Sequence, residues 1–388
     1  MRTRFRITPA GARARLLSFA LSVILLSACS SEQPVEPVGA LPENFQADFA
    51  GMNELEQLLV AHGEGASSLE KRGRIVNLPA GSQDGLAAAI AAAGKRGTVR
   101  VEAGLHTESQ TVTITHAVRI IGEPGAIFEF ATQPWPPAGE IDAALHIKNA
   151  DDVVIWNLEI QPASSIGGTA ILVEDSKDAI IGRNTMRGHQ FSVLVEGSDE
   201  AKIYKNTIIA TTAWQTGALS AVHGVVVING KKAEVENNDI SNALFGLWAC
   251  DENGEAERNT FHGNFVGLIL CKVPANFFPL PGGKLAGSAL PATSWQAKAN
   301  NATGNFNAGY LVIDGANNNR LKDNNASNNG TYDFDLTGDT YRFGFLTPKS
   351  FDNKVVAGAF QNVRIKNCGE NNTVLGGQLV DNTQDPCN

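Results

Sequence analysis

Between Gly224 and Cys271 the chain runs twice through the same pattern. A glycine opens a short apolar run (Gly224, Gly246, then Gly267). A polar turn and a second short run lead to an asparagine (Asn238, Asn259), and eight residues later the next glycine restarts the cycle. Asparagines ending the second run of each unit are Asn157, Asn184, Asn206, Asn238, Asn259, Asn301 and Asn325, with spacings of 27, 22, 32, 21, 42 and 24 residues. The base unit is therefore 21 to 22 residues, with insertions over Ala210–His223 and from Val273 to Trp295. Apolar residues alternate within runs of two to four, which is strand periodicity. A unit this small cannot bury its own apolar face, so copies must stack into a solenoid. A leucine-rich repeat would need an L-x-x-L-x-L frame, and helical repeats would need apolar residues at a period of 3.6. Neither is found.

From Thr98 to Leu379, about ten coils, the chain resembles the right-handed parallel β-helix, or pectin-lyase-like, superfamily. The resemblance implies an all-β fold, with three short strands per coil stacked into three parallel sheets. It also implies that the asparagine column is an internal ladder. An inward amide carries two donors and an acceptor, and copies about 4.8 Å apart satisfy one another. The superfamily includes lyases, hydrolases, epimerases, adhesins and binding scaffolds, so the fold leaves function open.

The ends are read differently. Residues 1–28 carry five arginines and then the apolar run Leu16–Leu26, too short to span a bilayer and of secretory-signal length. Leu26-Ser27-Ala28-Cys29 resembles the bacterial lipobox, which implies cleavage before Cys29 and its acylation. Ser30 rather than Asp follows, which favours the outer membrane by the lipoprotein sorting pattern. Residues 29–47, with Pro34, Pro37 and Pro42, read as a flexible tether. Residues 48–97 read as a helical cap over the open end of the stack. Phe49, Met52, Leu55, Leu58 and Leu59 form one helix face, and Gly81–Gly94 forms a second helix, capped by Ser82 or Asp84. The β-helix is expected over 98–388. Setting aside the five leader arginines leaves 26 basic against 40 acidic residues, a net charge of −14. Without a basic cluster, nucleic acid is not an expected partner.

Strand alternation sorts the Gly-led strands into inward and outward positions. Residues one and three after the opening position, such as Leu145 and Ile147 or Val225 and Val227, are expected in the core. Residue two faces out: His146, Leu172, Leu194, Val226, Trp248, Ile269, Leu311 and Asp335. Six of these eight are apolar, a stripe that is not left in water without reason. Either the N-terminal helix or the Pro274–Ala292 insertion covers it, with Phe277 and Phe278 serving, or it is a binding groove for sugar rings or a partner protein centred on Trp248, Leu194, Val226 and Ile269.

Cys250 and Cys271 each lie four residues past an opening glycine, in register on adjacent coils. Strands about 4.8 Å apart permit a disulfide there. Cys368 and Cys387 are expected to form a second bridge holding the C-terminal tail. Glu174 and Glu196 share a register position on adjacent coils. Carboxylates so placed repel one another, a cost relieved by calcium, by Lys177 or Lys202, or by solvent. Arg187, His189, His223 and His262 precede opening strands on the loop side, and His189 with His223 is the candidate base or metal pair. Relatives of the lyase type carry clustered outward acids for calcium and an arginine base, and the corresponding face here is mostly apolar. The eleven asparagines of Asn300–Asn329 read as ladder and turn chemistry. The expectation is a lipid-anchored envelope module that binds polysaccharide or a partner protein, the alternative being a polysaccharide lyase or epimerase with its site on the loop side. No cofactor other than calcium is expected.

Overall fold

The computed structural model describes residues 52–61, 73–135, 139–218, 222–338, 340–342, 345–358, 363–379 and Cys387. The leader, Cys29 and the tether lie outside these residues. No described helix is long and apolar enough to cross a membrane.

The described strands stack as a solenoid of three long parallel sheets. Sheet A has twelve strands from Ile75–Leu78 to Thr373–Gly376. Sheet B has nine, from Gly104–Glu108 to Asn325–Ser327, and sheet C has eleven, from Val112–Ile114 to Gln378–Leu379. Coils from Gly97 to Leu336 visit A, B and C in turn. Sheet C holds the Gly-led strands, among them β1 (Ala143–Lys148), β2 (Gly167–Glu174), β3 (His189–Glu196), β4 (His223–Lys231), β5 (Phe245–Glu252) and β6 (Val266–Leu270). The expected register holds. Leu145, Ile147, Val193, Val195, Val225, Val227, Leu247 and Leu268 all lie in the central core.

The asparagine ladder exists, shifted by one residue at three places. Its members are Asn184, Asn206, Asn238, Asn259, Asn300 and Asn324, each Nδ2 donating to the next Oδ1 at 2.9–3.1 Å. The residue just before each ladder position takes a left-handed conformation, as at Arg183, Lys205 and Asn237. Asn157, at φ 57°, is that turn residue, and Leu158 occupies the ladder position of its coil. Asparagine suits both places, which is why the sequence pattern blurs them. Asn301 and Asn325 lie one residue past the ladder and bond each other. Two more ladders line the other corners: Asn264–Asn305–Asn329 and Asn319–Asn353–Asn372.

The segment read as a cap holds two helices, and they lie in different places. Helix α1 (Met52–Ala61) lies on the outer face of sheet A, where Leu55 packs on Ile121, Val154, Trp156 and Ile180. Its Glu54 pairs with Arg183 and Lys205 and accepts from the Tyr204 hydroxyl at 2.8 Å. Helix α2 (Leu86–Ala93) plugs the stack with Leu86, Ala89, Ile90 and Ala93. Its N-cap is Gly85, without a side-chain cap, instead of Ser82 or Asp84. Glu108 of the next coil accepts from Leu86 N at 2.8 Å, while Asp84 binds Ser109. The first strand, Ile75–Leu78, pairs with Gly97–Val101, so sheet A begins within the segment read as cap. At the other end Cys368 and Cys387 are bridged.

Candidate functional site

The outward stripe of sheet C is covered by the chain's own insertion. Strands β7 (Phe278–Leu280) and β8 (Lys284–Ala286) form an antiparallel hairpin. Its turn contains Gly282 and Gly283 at φ 83° and 79°, a backbone that favours glycine. Phe278, Leu280 and Ala286 face inward and form a second apolar core with Leu172, Leu194, Val226, Trp248, Ile269 and Leu311. Trp248 retains 3% exposure and the other three proposed groove residues 1% or less. The groove reading is therefore corrected. Leu194, Val226, Trp248 and Ile269 are core residues, since an apolar stripe of this size is stabilised by covering it. Helix α1 takes no part in this; it packs on sheet A.

The hairpin also supplies the counter-charge for the stacked acids. Glu174, Asp175 and Glu196 gather around Lys284, whose Nζ lies 3.5, 2.9 and 2.6 Å from them. Lys148 lies 3.2 Å from Glu174, and His146 Nε2 lies 2.8 Å from it. Burial works to raise the Glu174 carboxyl, but bonds from Lys148 and His146 outweigh it and hold the group below its usual range. An ammonium therefore fills the place proposed for calcium between Glu174 and Glu196. Lys177 and Lys202 are engaged elsewhere, with Asp178 and Glu200 and with Glu234.

The basic residues on the loop side do not converge. Arg187 is exposed and paired with Glu159 at 3.2 Å. His189 and His223 are fully buried, and burial pushes them down to about 4 and about 3. In the ladder His223 lies opposite Phe191 and Phe245, while His189 lies opposite Gly167. The His223 ring centre is 4.6 Å from that of Trp248 and 5.1 Å from that of Phe245. Both histidines are neutral core groups, and neither is open to a substrate.

Cys250 and Cys271 are adjacent, as the register requires, but they are free thiols here, with sulfurs 2.8 Å apart. The expected bond between them is not formed. The Trp248 indole N–H donates to Cys271 Sγ, and burial pushes the Cys250 thiol up.

What remains open on the loop side is an aromatic rim that the sequence reading did not single out. The Ala210–His223 insertion forms a short 3-10 turn, Thr212–Thr216, which presents Trp214. The Trp214 indole donates to the Asn242 carbonyl at 2.9 Å. Its ring meets Phe265 and Phe306 edge to face, at centroid distances of 5.8 and 5.5 Å. Phe306 is 57% exposed, while Trp214 and Phe265 are half-buried. Phe265 and Phe306 each follow a ladder asparagine, Asn264 and Asn305, so stacking of the coils aligns them. The repeated Asn-Phe pair was the available signal.

Beside the rim runs the outer edge of sheet B. Ser241, His262, Thr303 and Ser327 follow one another in register, and Asn242, which holds Trp214, comes directly after Ser241. His262 Nε2 lies 3.0 Å from Asp239 Oδ1, and both side chains are about half exposed.

Comparison with known proteins agrees with this architecture. The family described as right handed beta helix region matches residues 143–278. A polygalacturonase from Erwinia carotovora ssp. carotovora superposes with a TM-score of 0.52 at 10% identity, over 80% of this chain and 98% of that one. The surface protein and adhesin PfbA of Streptococcus pneumoniae gives a TM-score of 0.46 at 10% identity, over 76% and 92% of the two chains. A mannuronan C-5 epimerase module from Azotobacter vinelandii gives 0.40 at 13%, over 77% and 92%. No curated protein matches in sequence. The chain is a right-handed parallel β-helix.

Proposed function

We propose that this chain is a lipid-anchored β-helix of the bacterial envelope, held in the outer membrane through Cys29, that binds polysaccharide on the rim of Trp214, Phe265 and Phe306. The observation that carries the reading is the rim itself. Three aromatic rings, one of them largely exposed, are fixed by an insertion, a hydrogen bond and the residues after two ladder positions, beside the hydroxyls of Thr303 and Ser327 and the imidazole of His262. Sugar rings present apolar faces to aromatics and hydroxyls to such polar edges, and aromatic packing contributes about 1 kcal/mol per ring beyond area burial.

The test is affinity electrophoresis of the full chain through gels holding uronate polymers or glucans. At least one polymer is expected to retard the wild type, with affinity falling about tenfold or more in Trp214→Ala/Phe306→Ala. Retardation unchanged in that variant, or absent for all polymers, overturns the reading. Anchoring is tested separately by acyl labelling, which Cys29→Ala should abolish.

One observation supports the enzymatic alternative: the exposed Asp239–His262 pair beside the rim, a carboxylate orienting an imidazole as a general base requires. Unsaturated products from a uronate polymer, lost in His262→Gln, would establish lyase activity there.

A further inference from the structure

Past α1, no described element packs on the outer face of sheet A, and its charges are sorted into two bands. Outward residues in successive strands are Lys202 and Tyr204, Glu234 and Glu236, Glu255 and Glu257, Gln296 and Lys298, Arg320 and Lys322, then Lys354 and Val356, all in register. Neighbouring rows are about 4.8 Å apart. Four glutamates thus lie directly beside a band made by Lys298, Arg320, Lys322 and Lys354. Like charges facing each other across a ladder are destabilising, so interleaving the two signs would have suited the isolated sheet better.

The face relieves only part of this. Lys202 pairs with Glu234, Lys298 with Glu257 at 3.3 Å, and Lys322 with Asp323 at 3.3 Å. Among the described residues Glu236, Arg320 and Lys354 make no ion pair. Burial, and after it Glu257, Glu236 and Glu234, push the Glu255 carboxyl up.

We propose that this face docks a second copy of the chain, related by a two-fold axis lying in the face along the Gln296–Lys298 row. The rotation sets the Glu255–Glu257 row against the partner's Arg320–Lys322 row, and the Glu234–Glu236 row against the Lys354 row. Each pairing occurs twice, as an isologous interface requires. Helix α1 leaves room, because it packs over Ile121 to Ile180 and reaches this face only at the Tyr204 row. The two-fold places that row opposite the last strand of sheet A, Thr373–Gly376. An anionic polymer would match the basic band but meet the glutamates next to it, whereas a second copy sets Arg320, Lys322 and Lys354 against glutamate rows and leaves Lys298, which lies on the axis, to its own Glu257. Exposed ion pairs are individually weak and screened by salt, so the dimer is a low-salt species favoured by crowding of copies at one surface.

Sedimentation velocity on the full chain in a neutral detergent tests this. The wild type should pass from dimer to monomer between roughly 0.02 and 0.5 M salt. Glu236→Lys/Glu255→Lys and Arg320→Glu/Lys354→Glu should each be monomeric throughout, and a mixture of the two should form a 1:1 heterodimer at low salt. Both variants keep a net negative charge, so their pairing is not bulk attraction. All four residues are on the surface, and circular dichroism checks the fold. A wild type that is monomeric at all salts, or variants that dimerise unchanged, overturns the proposal. So does a monomeric wild type that binds an anionic polymer through Arg320 and Lys354, which assigns the basic band to that polymer.

Discussion

Lys284 Nζ lies 2.6 Å from Glu196 Oε2, joining a hairpin tip to a strand 88 residues earlier. The carboxylate is nearly buried, while the lysine keeps 34% of its side-chain exposure. Breaking a fully buried pair costs about 3–5 kcal/mol; allowing for the exposure of the lysine, Lys284→Met should cost about 2 kcal/mol. Thermal melting measures this, and adding Glu196→Gln should recover part of it. In Lys284→Met the freed carboxylates keep oxygens within 4.8 Å of one another, so millimolar calcium should raise its melting point and not that of the wild type. An equal rise in both would place calcium elsewhere.

Asp251 should weaken the fold toward alkaline pH. Its Oδ1 accepts from Trp295 Nε1 at 2.8 Å, while Oδ2 is buried without a hydrogen-bond partner among the described residues. Burial pushes the carboxyl up to about 8 from an ordinary 3.8. The folded state therefore holds a proton that the unfolded state releases. The resulting stability is complete below the unfolded value and is lost as pH rises toward and through 8. Asp251→Asn keeps an acceptor for Trp295 and removes the titration. It should be more stable than the wild type at pH 9, and the gap should narrow by at least about 2 kcal/mol toward pH 5. Parallel melting curves across that range would refute the assignment.

The buried histidines act on the acid side. Unfolded imidazoles take up a proton near 6.5, whereas the folded His189 and His223 resist until about 4 and about 3. Between those values the unfolded chain binds more protons. The contribution is thus fully present above pH 6.5 and is lost as pH falls through the folded values. His223→Phe fits a site already lined by Phe191, Phe245 and Trp248. It should retain more of its neutral-pH stability at pH 4.5 than the wild type does, measured by urea unfolding at both pH values.

Ladder asparagines should differ sharply from their sequence neighbours. Asn238 accepts from Asn206 N and Nδ2 and donates to Asn259 Oδ1 and the Ile203 carbonyl. Asn238→Ala leaves several buried partners unsatisfied and should cost about 3 kcal/mol. Asn301→Ala, outside the ladder, should cost less than about 0.5 kcal/mol. Chemical unfolding of the two variants measures the difference, and equal costs would overturn the ladder assignment.

That shift shows how far local sequence carries. Alternation within each run gave the inward set correctly, from Leu145 to Leu268, because one face of every strand must be buried. Asparagine marked each corner but not which of two adjacent residues turns inward, since it suits both an interior ladder and a left-handed turn. What covers the stripe was not decidable. Apolar residues read the same beneath a hairpin as in an open groove, and the deciding contacts join Lys284 to Asp175, 109 residues apart. The rim was hidden for a related reason. Trp214 comes from an insertion outside the repeat, and only the folded chain brings it to Phe265 and Phe306.

Phe278 separates the covered stripe from the groove reading most directly. Its ring centre is 5.7 Å from those of both Phe191 and Trp248, and the side chain is fully buried. Phe278→Ala removes the plug over β3 and β5 and should cost about 3–4 kcal/mol, as large-to-small changes in a packed core do. Polysaccharide retention, carried by Trp214 and Phe306, should stay unchanged under conditions where the variant remains folded. Should Phe278→Ala instead strengthen binding while Trp214→Ala does nothing, Trp248 and its neighbours would be the ligand surface, with the hairpin serving as its cover.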